Sequence, residues 1–409
     1  MKMKFLSVSI FAMLVIASAC RKDDPTPISS VPTTDNTLKG TINADRILTN
    51  TSATIDYYID GAVIVKAKLT IEPGVVVVAL SGASLEFDGA PSALISVGTV
   101  ALPIIIKSEA GLRGAWKGIR FSGSNNAQNN MVYTTVADGG SGSFNGDATE
   151  RANIRFSETS QIKMKNCVIS NSAVYGILEE KFDNLTITEF DNNSFTNNAD
   201  FPIYITDRNI ASLGNTTTFS GNTKNFIAMV QDSFEGLIGD VIWKKQTVPY
   251  LFNDAEGLVL GYYTTTGGLT LEAGVKLTMG AGASIFVGDN SNNTGYLKIN
   301  GTATEPVIIS GEGNLKGSWA GIYVSTDNVR NIWNYANISD AGSRTFNNVA
   351  NKANICIGIS NSDNSSLTAN NCSSSNSIGF GMTRANSATN VLTGSFTGSN
   401  NTLGNTGTH

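Results

Sequence analysis

Apolar residues in this chain come in short runs broken by Gly, Asn or Asp. Ala62–Val65, Leu69–Ile71, Val75–Leu80, Leu85–Phe87, Leu94–Val97 and Ile104–Ile106 are examples. Strict alternation shows at Ile162-Lys163-Met164 and Leu185-Thr186-Ile187, the period-2 signature of a half-buried strand. No stretch of 12 or more residues carries apolar positions at helical spacing. The pattern therefore predicts an all-β chain of many short strands, with Gly and Asn supplying the tight or left-handed backbone of repeated corners.

Many short strands with regular turns suit a sandwich, a barrel or a solenoid. The strands here are very short, and the Asn-Gly hairpin signal occurs only at Asn145-Gly146 and Asn300-Gly301. Both features favour a parallel coil of roughly 20–25 residues with three strands per turn. Asn at successive corners suits such a coil, because stacked amides bond the turns above and below.

The chain also matches itself at a shift of 200 to 205 residues. Leu69-Thr70-Ile71-Glu72-Pro73-Gly74-Val75 returns as Leu269-Thr270-Leu271-Glu272-Ala273-Gly274-Val275. Gly114-Ala115-Trp116-Lys117-Gly118-Ile119 returns as Gly317-Ser318-Trp319-Ala320-Gly321-Ile322. Ala152-Asn153-Ile154, Asn166-Cys167 and Ser194-Phe195-Thr196 return as Ala353-Asn354-Ile355, Asn371-Cys372 and Ser395-Phe396-Thr397. Asp138 and Phe144 match Asp340 and Phe346. The expected organisation is two tandem related halves, 37–236 and 237–409. The second is shorter by about two coils, so its polar tail either covers the last coil or leaves an edge for a partner.

The run from Tyr58 to Ile119, with its LTIEPGVVV, P-I-I-I and G-A-W-K-G-I segments, resembles exported bacterial proteins of the right-handed parallel β-helix type, the pectin-lyase-like fold. Asn166-Cys167 to Gly176-Ile177 and Asn371-Cys372 to Gly381-Met382 resemble further coils of that family. The resemblance implies a single-stranded right-handed parallel β-helix over most of residues 37–409. It implies little about function, because the same coil carries lyases, hydrolases and adhesins.

Residues 1–19 have the layout of a signal peptide: Lys2 and Lys4, an apolar stretch from Phe5 to Ile16, then small residues. The apolar stretch is shorter than the roughly 20 residues a membrane span needs. Two readings of the cleavage site both cut after Ala19. Ala17-Ser18-Ala19 fits an ordinary exported protein. Ser18-Ala19-Cys20 resembles a bacterial lipobox, although Ala17 replaces the usual Leu, and makes Cys20 a lipidated N-terminus that anchors the chain to a membrane. Lys22-Asp23-Asp24 after it resembles the surface-export signal of Bacteroidota lipoproteins. Residues 20–36 then form the lipidated end and a flexible Pro/Ser/Thr-rich tether. The expected location is the outer membrane or cell surface.

Composition narrows the chemistry. The single His is the last residue, His409, which leaves no His for a Ser-His-Asp triad or a zinc site. The net charge of −5 becomes −7 once Lys2 and Lys4 are removed, so no nucleic-acid partner is expected. Cys167, Cys356 and Cys372 are an odd set in an exported chain, which argues against a disulfide framework.

Duplication separates folding residues from functional ones, since a turn is needed in each copy while an active site is rarely needed twice. Glu72 with Glu272 and Asp138 with Asp340 read as turn residues. Trp116 and Trp319 read as packed against the coil or, alternatively, as platforms for stacking a sugar ring. Tyr133 and Tyr335 are further ligand candidates. The charges Asp147, Glu150 and Arg151, then Glu179, Glu180 and Lys181, then Asp207 and Arg208, read as scattered solvated loop residues. No dense acidic loop suggests a metal, and no cofactor is expected. Gly288–Gly295 reads as a projecting polar loop. The expected function is a non-enzymatic, surface-anchored binding or structural module, with a glycan or a surface protein as ligand. The alternatives are a β-helix polysaccharide lyase or glycoside hydrolase, and an adhesin.

Overall fold

Burial alternates along the strands as the sequence pattern requires. In Lys68–Ile71, Leu69 and Ile71 are buried while Lys68 and Thr70 lie outside. In Thr159–Lys165, Ser160, Ile162 and Met164 point inward. The computed structural model describes residues 36–409 except 53, 145, 147–149, 233–235, 262–265, 289–293, 346–351 and 359–363. The expected signal peptide, Cys20, most of the tether, Asp147, Phe346 and most of the Gly288–Gly295 loop lie outside the described residues.

The chain is all-β. Strands form one sheet of 24 and two sheets of six, and the pairing is parallel in all three. Between neighbouring strands the chain advances by 20 residues where Tyr57 lies opposite Val77, and by 37 where Ser284 lies opposite Gly321. The expected 20–25 holds only where corners are tight. Loops such as 109–117 and 123–129 lengthen the circuit without disturbing the register, as slow growth of loop-closure cost permits.

The sequence repeat returns in the pairing. Lys68–Ile71, Ala93–Val97 and Asn130–Val132 stack in that order, as do Gly267–Glu272, Tyr296–Asn300 and Ile332–Asn334. Ser84–Asp88, Gly118–Ser122, Ala152–Ser157 and Tyr175–Glu179 stack likewise. Their later counterparts are Ser284–Val287, Gly321–Val324, Ala353–Ile357 and Phe380–Arg384. The join is offset. Tyr175–Glu179 continues through Ile203–Thr206, Ile227–Val230 and Tyr250–Phe252 into Lys276–Met279. That last strand is the counterpart of Val76–Ala79, not of Ser84–Asp88. Segments that align in sequence therefore do not occupy the same place in the strand order at this join. The polar tail forms a strand of its own, Gly404–Thr408, paired with Phe380–Arg384.

One apolar cluster runs from Leu38 to Phe396. Equivalent residues stack along it: Phe87, Phe121 and Phe156 lie with ring centroids 5.2 Å apart. Asn holds the corners in two ways. Asn166, Asn171, Asn192 and Asn197 take left-handed backbone, which Asn tolerates better than most residues. Asn193 and Asn198 are buried and their side-chain oxygens accept from the backbone N–H of Cys167 and Ser172 in the preceding turn, at 3.0 and 3.1 Å. The three described cysteines are buried and unbridged.

Candidate functional site

Four stacked strands build a groove on the outside of the sheet. In Tyr175–Glu179, Ile203–Thr206, Ile227–Val230 and Tyr250–Phe252, the residues Leu178, Tyr204, Ala228 and Leu251 lie in register. Side chains of successive strand residues face opposite ways, so Ile177, Ile203 and Ile205 enter the core while this file faces outward. Phe201 joins it, and Tyr175 and Phe226 pack beside it. Tyr175 and Tyr204 have ring centroids 5.3 Å apart, and Tyr175 and Phe201 stack at 6.3 Å with nearly parallel planes. The result is an aromatic floor of half-buried Tyr175 and Tyr204, with Phe201 buried beside them.

The groove above this floor has a volume of about 550 Å³ and is lined by Tyr175, Leu178, Glu180, Tyr204, Asn253 and Asp254, among others. A cavity of that size accommodates a small ligand. Its charged lining residues are Glu180, Lys181 and Asp254, which are tied to further charges outside it. Arg155, whose side chain is 4% exposed, pairs with Asp183 at 2.7 Å, Glu180 at 3.2 Å and Glu150 at 3.6 Å. Lys181 pairs with Glu256 at 2.6 Å and Asp254 at 3.3 Å. Outside the lining, Lys224 pairs with Asp200 at 3.0 Å and sits 4.6 Å from the Phe201 ring centroid.

Burial, together with a hydrogen bond to Glu150, pushes the Glu180 carboxyl up to about 7, even though Arg155 acts against it. Beneath the groove Glu179 points the other way. Its carboxyl accepts from the Thr206 backbone and hydroxyl at 3.0 and 3.1 Å, from Asn209 at 2.9 Å and from the Leu185 N–H at 3.2 Å. Burial nevertheless raises it to about 7, and Asp207 is raised to about 7 by the same cause. Burial also lifts the Tyr204 hydroxyl to about 12, with Tyr175 beside it adding to the shift. Tyr204 is therefore a neutral ring platform and hydrogen-bonding group over the physiological range.

Glu150, Glu179 and Asp207, expected to be solvated loop charges, are buried. The physical reason is local. Glu150 neighbours the buried Arg155 at a strand entry, Glu179 is the last inward residue of its strand, and Asp207 accepts from the Asp232 N–H at 3.0 Å. Glu150 and Glu180 thus meet at Arg155, and Glu179 is bonded by Thr206, the neighbour of Asp207.

The other expected site residues lie elsewhere. Trp116 and Trp319 are fully buried, and their indole N–H groups donate to Ala137 and Ser339 carbonyls at 2.7 Å. Neither offers a ring face to a sugar. Tyr133 and Tyr335 are half-buried at left-handed corners, with φ of 45° and 48°. They are not among the residues of the groove. A usable sequence signal for the groove was the difference between copies. Arg155, Glu179 and Glu180 correspond to Cys356, Arg384 and Ala385, and Tyr204 corresponds by pairing to Gly407.

No family model matches the chain, and no curated protein or solved structure matches it either.

Proposed function

We propose that the chain is a right-handed parallel β-helix of two related halves, the second turned by one face about the long axis, and that it holds a glycan in the Tyr175–Tyr204 groove. The supporting observation is the half-buried pair Tyr175 and Tyr204, packed with the buried Phe201, beside polar Glu180, Asn253 and Asp254. Sugar rings present an apolar face and a rim of hydroxyls. Aromatic rings with flanking polar groups meet both. A rigid parallel stack suits this task, because the groove spans four coils whose spacing the backbone ladder holds fixed.

The test is a glycan array followed by titration calorimetry with the protein lacking residues 1–19. Tyr204→Ala is expected to weaken binding of the selected oligosaccharide by about tenfold or more, as truncating a central aromatic anchor does. Trp116→Phe, at a core residue that does not line the groove, is expected to leave affinity unchanged. Unaltered affinity in Tyr204→Ala removes the groove from the reading.

The N-terminal residues support an anchored placement. Cleavage after Ala19 leaves Cys20 as the modified residue, with Arg21 to Asn36 as a spacer to the first strand, which starts at Thr37. In this reading the glycan is met at the outer membrane or cell surface. Intact-mass measurement of the membrane fraction is expected to show a diacylglyceryl-modified Cys20 in the wild type and none in Cys20→Ala. Equal masses refute the anchor.

A further inference from the structure

The charges around the groove narrow its ligand, a step that rests on the glycan reading above. Two carboxyls, Glu180 and Asp254, and one cation, Lys181, line the groove. Lys181 and the cations beyond the lining, Arg155 and Lys224, are each already in an ion pair. Arg155 is committed to Glu150, Glu180 and Asp183, Lys181 to Asp254 and Glu256, and Lys224 to Asp200. An anionic sugar entering here meets surplus negative charge and must displace a carboxylate to reach a cation. An ammonium shares acceptors that already hold a cation, Glu180 with Arg155 and Asp254 with Lys181, without displacing a carboxylate.

The aromatic floor points the same way by a separate route. Ring faces carry negative potential and attract cations. The chain itself rests one ammonium on this cluster, with Lys224 Nζ 4.6 Å from the Phe201 centroid. The exposed parts of Tyr175 and Tyr204 extend the same surface toward Glu180 and Asp254.

We propose that the groove selects a glycan bearing free amines, an oligosaccharide of the glucosamine type, over N-acetylated or uronate-bearing chains. The sugar ring lies on the Tyr175–Tyr204 floor and an ammonium faces Glu180 and Asp254. The groups around Glu180 are Glu150, Arg155 and Asp183, and its own carboxyl sits near 7 because of burial and Glu150. An ammonium beside it favours the ionised form, so binding below neutral pH releases a proton from the protein.

The experiment is calorimetry at pH 6 with three probes of equal length: oligomers of glucosamine, of N-acetylglucosamine and of galacturonate. The glucosamine oligomer is expected to bind about tenfold tighter than the N-acetylated one at low ionic strength, with the preference shrinking in high salt. Its apparent enthalpy is expected to vary with the ionisation enthalpy of the buffer, reporting the released proton. Glu180→Gln with Asp254→Asn is expected to bring the two affinities close together and to abolish the buffer dependence. Asp254→Asn alone gives a partial effect and serves where the double variant does not fold. Equal affinities in the wild type, or tighter binding of the N-acetylated or galacturonate oligomer, overturn the amine proposal and leave the glycan reading standing. Failure of all oligosaccharides, on the array and in calorimetry, overturns both.

Discussion

Trp116→Ala and Trp319→Ala are each expected to destabilise the protein by about 3–5 kcal/mol, the range for deleting a large buried aromatic. The expected costs are similar because the two sites are near copies. Both side chains have no exposed surface. Both indole N–H groups donate at 2.7 Å to a carbonyl in the next coil. Around them the backbone bonds repeat. Lys117 N–H donates to Ala83 at 2.8 Å and Ala320 N–H to Ala283 at 2.7 Å, while Ser141 and Ser343 each donate to the Trp carbonyl at 2.9 Å. Gly118 and Gly321, which follow at the same spacing, have φ of 113° and 128°, and a Cβ at either would come within 2.7 Å of a backbone oxygen. The indole therefore sits in a frame with little freedom to collapse. A stacked array unfolds in parts rather than all at once, so the measurement is hydrogen exchange together with urea unfolding. Trp116→Ala is expected to speed exchange chiefly near residues 76–140, and Trp319→Ala chiefly near 276–342. A cost below about 1 kcal/mol at either site contradicts the cavity argument. Trp→Phe retains much of the packing and loses the N–H, which separates the two contributions.

The strands were readable because a half-buried parallel strand leaves a period-2 trace wherever one side faces solvent. Leu69, Ile71, Ile162 and Met164 show it, and each points inward. The duplication was readable because corner and core residues recur, Glu72 with Glu272 and Trp116 with Trp319. The groove was hidden for a geometric reason. Its lining comes from Tyr175 to Asp254, and parallel strand pairing brings together residues far apart in the chain. Lys181 meets Asp254 across 73 positions. No local spacing announces such a pair. The separation of paired strands was also hidden, because a loop inserted between strands changes the count of residues without changing which strands pair. The burial of Glu179 ran against its sequence context. Glu179-Glu180-Lys181 looks like a solvated run, yet the strand's alternation turns the first carboxyl inward to the Thr206 and Asn209 donors and the second outward to Arg155.

Arg155→Met is expected to cost about 3–5 kcal/mol near neutral pH, the range for breaking a buried ion pair from one side. The parallel sheet itself does not require arginine at this position. Arg155 lies beside Arg120 in one copy, and its counterpart Cys356 lies beside Tyr323 in the other, so a neutral side chain fits the stack. What the substitution leaves behind is the problem: Glu150, Glu180 and Asp183 remain close together without the guanidinium that joins them. Lysine restores one charge but not the planar fork that reaches three carboxylates, so Arg155→Lys is expected to recover only part of the loss. The pH dependence has a definite sign. Glu180 already stands near 7 in the folded wild type, with Arg155 holding it down. Removing Arg155 raises it further, so the folded variant takes up protons at higher pH than the folded wild type does. The deficit is then largest above pH 7 and shrinks as pH falls toward 5, where protonation relieves the repulsion. Urea midpoints of variant and wild type at pH 8 and pH 5 measure this directly. Neutralising the acids in the same background, with Glu150→Gln, Glu180→Gln and Asp183→Asn, is expected to return most of the stability at pH 8. An equal deficit at both pH values, unchanged by that triple substitution, shows that Arg155 acts through packing of its alkyl chain and not through the three carboxylates.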